Sequence, residues 1–110
     1  MLNRWVEQGL LDTCGELGMG VISFCPLFQG LLTDKYLNGI PKDSRFTIEN
    51  SPLRKNEVNE QNLNVIRELN DHARQRGQTL AQMALSWVLR DNRVTSALIG
   101  ASSSVQILEN

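Results

Sequence analysis

Two short apolar runs, Met-Gly-Val-Ile-Ser-Phe at residues 19–24 and Val-Thr-Ser-Ala-Leu-Ile at residues 94–99, constrain this chain more than any other feature. Each is too short for a helix and has the composition of a strand covered on both faces. Helical patterns surround them. Leu10, Leu11, Cys14 and Leu17 recur at helical spacing before Gly18, a natural helix-stop residue. Residues 25–60 contain Pro26, Gly30, Gly39, Pro41 and Pro52 and read as a long irregular connection, a kind that is usually functional or disordered. From residue 61 the helical period returns, with Val65, Ile66, Leu69 and Ala73 on one face and Gly77 at its end. Thr79 with Gln82 has the form of a capping box ahead of Leu80, Met83, Ala84, Trp87 and Val88, and Ser103 with Gln106 can cap a last helix. Strands alternating with helices imply an α/β fold with parallel strands. Two strands cannot complete such a sheet, so the sequence reads as a slice of a larger architecture, and a molten, oligomeric or aggregation-prone chain is expected.

Composition removes several function classes. Eleven Lys and Arg against twelve Asp and Glu give a net charge of −1, which argues against nucleic acid and anionic membranes as partners. The longest uncharged stretch, residues 17–33, is broken by three glycines and Pro26, unlike a spanning helix of about 20 apolar residues. Arg4 and Glu7 interrupt any apolar region after Met1, so no signal peptide is expected and a cytoplasmic location is. Cys14 and Cys25 lack metal-ligand spacing and read as buried thiols of a reducing compartment; no metal site is expected. With no repeat or interior linker, residues 1–110 read as one domain, although a closed eight-stranded α/β barrel needs about 250 residues.

Two places could hold chemistry. At Ile99-Gly100-Ala101-Ser102-Ser103 a strand, a glycine turn and a hydroxyl pair precede a helix start, a setting that suits a phosphate; a plain N-cap accounts for Ser103 as well. The loop from Phe24 to Tyr36 leaves the C-terminal end of the first strand, where parallel α/β folds bind ligands. Phe24 offers a ring face, and Lys35 and Arg45 offer charge; the alternative makes Phe24 core and the two cations solvated surface. His72 is the only histidine, has no partner placed for a triad, and reads as a surface residue on a charged helix face. Trp87 reads as a core anchor.

Four ordered motifs, Cys-Pro-Leu-Phe-Gln-Gly-Leu-Leu-Thr-Asp-Lys-Tyr (25–36), Gly-Ile-Pro-Lys-Asp-Ser-Arg (39–45), Ala-Gln-Met-Ala-Leu-Ser-Trp-Val-Leu-Arg (81–90) and Val-Thr-Ser-Ala-Leu-Ile-Gly-Ala-Ser (94–102), together resemble the C-terminal part of the aldo-keto reductases. Within that superfamily the chain looks most like the bacterial L-glyceraldehyde 3-phosphate reductases, and more distantly like the β-subunits of voltage-gated potassium channels. The resemblance implies about the last third of an (α/β)₈ TIM barrel that binds NADPH at its C-terminal face: the helix after strand 6, strand 7 with its long loop, a helical pair, strand 8 and the start of the last helix. It further implies that Phe24 stacks on the nicotinamide and that Cys25, Pro26, Leu27 and Gly30 form the loop over the cofactor. Lys35 and Arg45 would reach its phosphates. Gly100 and Ser102 would bind the adenosine 2′-phosphate region, and Gln106, Glu109 and Asn110 would contact ribose and adenine.

The chain departs from the family pattern at Phe28, where a small residue is usual, at Asp34, where Gly is usual, and at Ser103, where close relatives often have Arg. Each of the two charge changes disfavours a polyanion by about 1 kcal/mol or less at a solvated site. The resemblance also implies a catalytic Asp, Tyr, Lys and His in the first half of the barrel. None of the four is matched here, and Tyr36, Lys35 and His72 occupy other positions of the pattern. The expected function is therefore that of a cofactor-binding part of a reductase of aldehydes or ketones, with no catalytic residue of its own. The alternative is a non-catalytic interaction or regulatory module that associates with intact reductase or channel-β-like subunits.

Overall fold

The computed structural model describes residues 1–42, 44 and 57–110. They separate into two units, Met1–Pro26 with Ala84–Asn110, and Leu27–Met83.

The first unit opens with a 3₁₀ turn, Trp5–Glu7, and helix α1, Leu10–Glu16. Gly18 ends α1 at φ +67°: its N–H donates to the Gly15 carbonyl at 3.1 Å and that of Met19 to the Cys14 carbonyl at 2.8 Å. This pair of bonds satisfies two of the carbonyls a helix end leaves open, and the left-handed backbone it needs is why glycine stands there. Strand β1, Val21–Phe24, pairs in parallel with β2, Val94–Leu98. The register runs Val21 to Val94 but Ile22 to Ser96, so Thr95 is left over. Its hydroxyl accepts the Val21 N–H at 3.1 Å, replacing the ladder bond lost at the irregularity. A last helix, Ser104–Glu109, follows β2.

The second unit holds the 3₁₀ turns Phe28–Gly30 and Asp34–Tyr36 and helix α2, Glu60–Gln75. Asn59 caps α2 by accepting the Asn62 N–H at 2.9 Å. Gly77, at φ +67°, closes its other end as Gly18 closes α1, with Gly77 N–H on Arg74 and Gln78 N–H on Ala73, both at 3.0 Å. Helix α3, Leu80–Val88, starts in this unit and ends in the other. The predicted capping box is present: Gln82 N–H donates to Thr79 Oγ1 at 3.1 Å and Thr79 N–H to Gln82 Oε1 at 3.0 Å. The last helix of the chain, Ser104–Glu109, is α4.

Leu31, Leu32, Tyr36, Ile66, Ala73, Leu80 and Met83 are buried in the second unit, and Leu11, Ala84 and Leu85 in the first. Two expectations are corrected. The strands are not covered on both faces: Ile22, Phe24 and Leu98 are exposed, and among the described residues each strand has one neighbour. On α2, Val65 is exposed and Asn70 is buried with Ile66 and Ala73, so the inward stripe is rotated by less than a turn from the predicted one. Within the connection predicted to be irregular, whose described part holds only two short 3₁₀ turns before α2, Leu31, Leu32 and Tyr36 are buried.

Candidate functional site

Because β1 and β2 are parallel, the segments that follow them leave from the same end of the sheet. Phe24, the last residue of β1, stands opposite Leu98 and is 76% exposed. The reading of Phe24 as core is thereby corrected, and its free ring face is of the kind that stacks on a planar heteroaromatic. Beyond it the backbone turns through left-handed conformations at Cys25 (φ +51°), Phe28 (+49°), Gln29 (+59°) and Gly30 (+91°). At the three non-glycine residues this costs on the order of 1–2 kcal/mol apiece. At Phe28, the position where the family pattern has a small residue, the φ itself favours glycine. Cys25 is exposed and Cys14 half-buried, so neither is the buried thiol expected; the left-handed turn at the strand's end carries Cys25 outward.

Within the second unit, Gly30 and Leu32 N–H donate to the Leu27 carbonyl at 3.0 and 3.1 Å, while the Leu31 and Leu32 side chains are fully buried. Thr33 Oγ1 donates to the Gly30 carbonyl at 2.7 Å and accepts the Lys35 N–H at 3.3 Å, which fixes the start of the next turn. That turn alternates its fate residue by residue: Asp34 and Lys35 are exposed, and Tyr36 is 1% exposed. Pro26 and Leu27 are half-buried. Arg45 lies outside the described residues.

After β2, Gly100, Ser102, Gln106, Glu109 and Asn110 are all exposed and all belong to the first unit. Ser103 caps α4 by accepting the Gln106 N–H at 3.3 Å. The reciprocal half of the box falls one residue early, because Gln106 Oε1 accepts both the Ser102 N–H at 2.8 Å and the Ser102 Oγ–H at 3.1 Å. Residues 94–110 contain no Lys or Arg, and Glu109 is their one charged side chain. Within the first unit, the exposed Phe24 ring and the neutral hydroxyl and amide groups of Ser102, Gln106 and Asn110 have the chemistry to meet an aromatic ring and ribose hydroxyls.

Sequence reading missed a cluster in the first unit. Arg4 Nε and Nη2 donate to Glu7 Oε2 at 3.0 and 2.5 Å, and Arg90 Nη2 donates to Glu7 Oε1 at 2.6 Å. The Arg90 guanidinium lies 3.5 Å from the centroid of the Trp87 ring and that of Arg4 lies 5.6 Å from it. Trp87 is therefore half-buried against two cations, not an apolar core anchor. Hydrogen bonds from Arg4 and then Arg90 hold the Glu7 carboxyl down from the usual 4.5 to about 2. The spacings Arg4 to Glu7 and Trp87 to Arg90 were visible; that the two pairs meet was not. Arg93 forms a second pairing, to both Asp91 oxygens at 2.8 and 2.6 Å and also to Asp12, holding the Asp91 carboxyl well below the usual carboxylate range. These contacts join α1 and the first turn to the segment between α3 and β2, a structural task. His72 is exposed on α2, as expected. Among the described residues no group of three or more His, Cys, Asp or Glu is placed to hold a metal ion, and no helix is long and apolar enough to cross a membrane.

Comparison with known proteins gives one consistent picture. The model of the aldo/keto reductase family matches residues 1–110. The whole chain is 58% identical over 114 aligned residues to an L-glyceraldehyde 3-phosphate reductase of Escherichia coli K12, and 57% identical to that of Escherichia coli O157:H7. It is also 36% identical, over 96% of its length, to a probable voltage-gated potassium channel subunit beta of Oryza sativa subsp. japonica. In each case it covers 33% of the relative, so the chain spans about a third of the length of the proteins it matches.

Proposed function

The chain belongs to the aldo/keto reductase family, and from that membership we propose that it is the C-terminal, cofactor-binding part of a reductase that acts on a small aldehyde or ketone. The substrate class is that of L-glyceraldehyde 3-phosphate or methylglyoxal, after the relatives' printed activity. In this reading α1 follows the sixth strand of an (α/β)₈ barrel, β1 and β2 are its seventh and eighth strands, α2 and α3 are the helical pair between them, and α4 begins the last helix. The observation that carries it is the direct parallel pairing of β1 with β2, which sends Phe24 and residues 99–106 off the same sheet end.

Phe24 would hold the nicotinamide by stacking, with Cys25, Pro26, Leu27 and Gly30 forming the covering loop and Lys35 and Arg45 answering the pyrophosphate charge. Gly100, Ser102, Gln106, Glu109 and Asn110 would hold the adenosine end. The cofactor, NADPH in the family's pattern, supplies a hydride when bound. What the chain's own residues contribute is position. Tyr36, its one tyrosine, is 1% exposed, so its phenol cannot deliver a proton to a substrate carbonyl. No catalytic residue is assigned, and the chain by itself is proposed to be silent.

The purified chain is expected to leave NADPH unconsumed in the presence of methylglyoxal or glyceraldehyde 3-phosphate; turnover that follows the chain through purification would refute the silence. A second reading, a module that associates with intact reductase subunits in the cytoplasm, is favoured by the open apolar face of Ile22, Phe24 and Leu98. Co-expression with an intact reductase tests it, and absence of co-purification eliminates it.

A further inference from the structure

We infer that Thr33 is a positioning residue of the cofactor loop: its hydroxyl ties the backbone of Lys35 to the covering stretch at Gly30 and so aims the lysine at the pyrophosphate. The inference rests on the proposal that Gly30 and Lys35 face the dinucleotide, and all of its contacts lie within the second unit. Thr33 Oγ1 donates to the Gly30 carbonyl at 2.7 Å, and the same oxygen accepts the Lys35 N–H at 3.3 Å. A hydroxyl can do both at once because it carries one donor and two acceptor lone pairs. Valine, which has the same shape, can do neither. The Gly30 N–H is held as well, by the Leu27 carbonyl at 3.0 Å, so both backbone polar groups of Gly30 are satisfied inside the loop and make it a firm anchor. What Gly30 leaves to a ligand is room, since a Cβ built there meets nothing within 4 Å. Lys35 is the opposite case. Its N–H is tied back to Thr33, whereas the residue is exposed and its ammonium has no ion-pair partner among the described residues. Leu32 and Tyr36, 2% and 1% exposed, hold the chain down before and after this stretch. A lysine whose backbone is fixed before the ligand arrives lowers the ordering cost that binding must otherwise meet.

Binding of NADPH to the purified chain, followed by calorimetry and by backbone amide resonances, tests the inference without any turnover. In the unsubstituted chain NADPH should shift the Gly30 and Lys35 amides with one common dissociation constant. A shift at Lys35 without one at Gly30 overturns the tie and leaves the cofactor reading standing. Thr33→Val should weaken NADPH about fivefold, and Thr33→Ser, which keeps the hydroxyl, should stay within about twofold of the unsubstituted chain. Lys35→Gln should weaken NADPH about tenfold. Added to Lys35→Gln, Thr33→Val should cost less than about twofold more, because the hydroxyl acts through the lysine. A loss that merely reflected loop structure would recur there in full. Exchange protection of the α2 amides reports that each variant is folded. Serine binding as weakly as valine, no loss in Thr33→Val, or a loss that recurs in the Lys35→Gln background overturns the inference alone. NADPH that binds with equal affinity to Lys35→Gln overturns the inference together with the role assigned to the lysine, and absence of binding to the unsubstituted chain overturns the whole cofactor reading with it.

Discussion

Thr95 shows how one side chain repairs a fault in the backbone. The register shift between Val21 and Ile22 leaves the Val21 N–H without a ladder acceptor, and the Thr95 hydroxyl takes it at 3.1 Å. A Cβ on Gly20 would come 3.0 Å from that same hydroxyl oxygen, which ties the glycine to the threonine. Thr95→Val keeps the shape and removes the acceptor, and should cost about 1 kcal/mol locally. Amide exchange at Val21 reads this directly: faster exchange is expected, and an unchanged rate would show that the hydroxyl does not hold the strand. Glu7 gives a second test, through pH. Its carboxyl is held down to about 2 in the folded chain by Arg4 and Arg90, against an ordinary 4.5. A depressed carboxylate contributes stability that is full above about pH 4.5 and is lost as pH falls toward 2. The Trp87 indole resonance, next to both guanidiniums, should therefore shift across that window. In Glu7→Gln it should already sit at the acid-form position and stay flat, and a matching titration in that variant would remove Glu7 as the cause.

The helix ends were the most legible elements, because their determinants are local. Gly18 and Gly77 both carry φ +67° and both complete the same pair of carbonyl bonds, and the sequence marks each as a helix stop. No atom lies within 4 Å of a Cβ built at either position, so Gly18→Ala and Gly77→Ala isolate the conformational cost. Each should destabilise its helix end by about 1 kcal/mol, read as faster amide exchange in the last turn of α1 or α2. Thr79→Ala should cost a similar amount at the start of α3, about 1 kcal/mol, because it breaks the reciprocal bonds with Gln82. Coverage was not legible. The apolar content of residues 19–24 indicates that a strand wants neighbours on both faces, and nothing in those six residues says whether the chain provides them. The same distinction separates the parts of the candidate site. Phe24 and the Ser103 cap could be placed by counting along the chain, whereas the diversion of Gln106 to Ser102 depends on the path of one side chain. Trp87 was misread for a related reason, since apolar periodicity cannot see that Arg4, more than eighty residues earlier, comes to its ring.

At the scale of the whole chain, the exposed apolar residues decide its behaviour in solution. Ile22, Phe24 and Leu98 share one open sheet face at 67, 76 and 62% exposure, and on α4 Val105, Ile107 and Leu108 are 58, 60 and 87% exposed. A monomer rarely leaves such groups together in water, and an open strand edge adds unpaired N–H and C=O groups that recruit other chains. The relatives the chain matches are about three times as long. The chain should therefore bind the hydrophobic dye ANS and self-associate as its concentration rises, seen as a growing mass in light scattering coupled to size exclusion. Ile22→Thr with Leu98→Thr lowers the apolar content of the open face and places a β-branched side chain, which suits a strand, at both positions. That pair should reduce both the dye signal and the association without disturbing the exchange protection of α2, which belongs to the other unit. A monodisperse, dye-free monomer would mean that the open face is closed in solution. Equal association by the double variant would instead move the sticky surface to α4, where Leu108→Gln is the corresponding test.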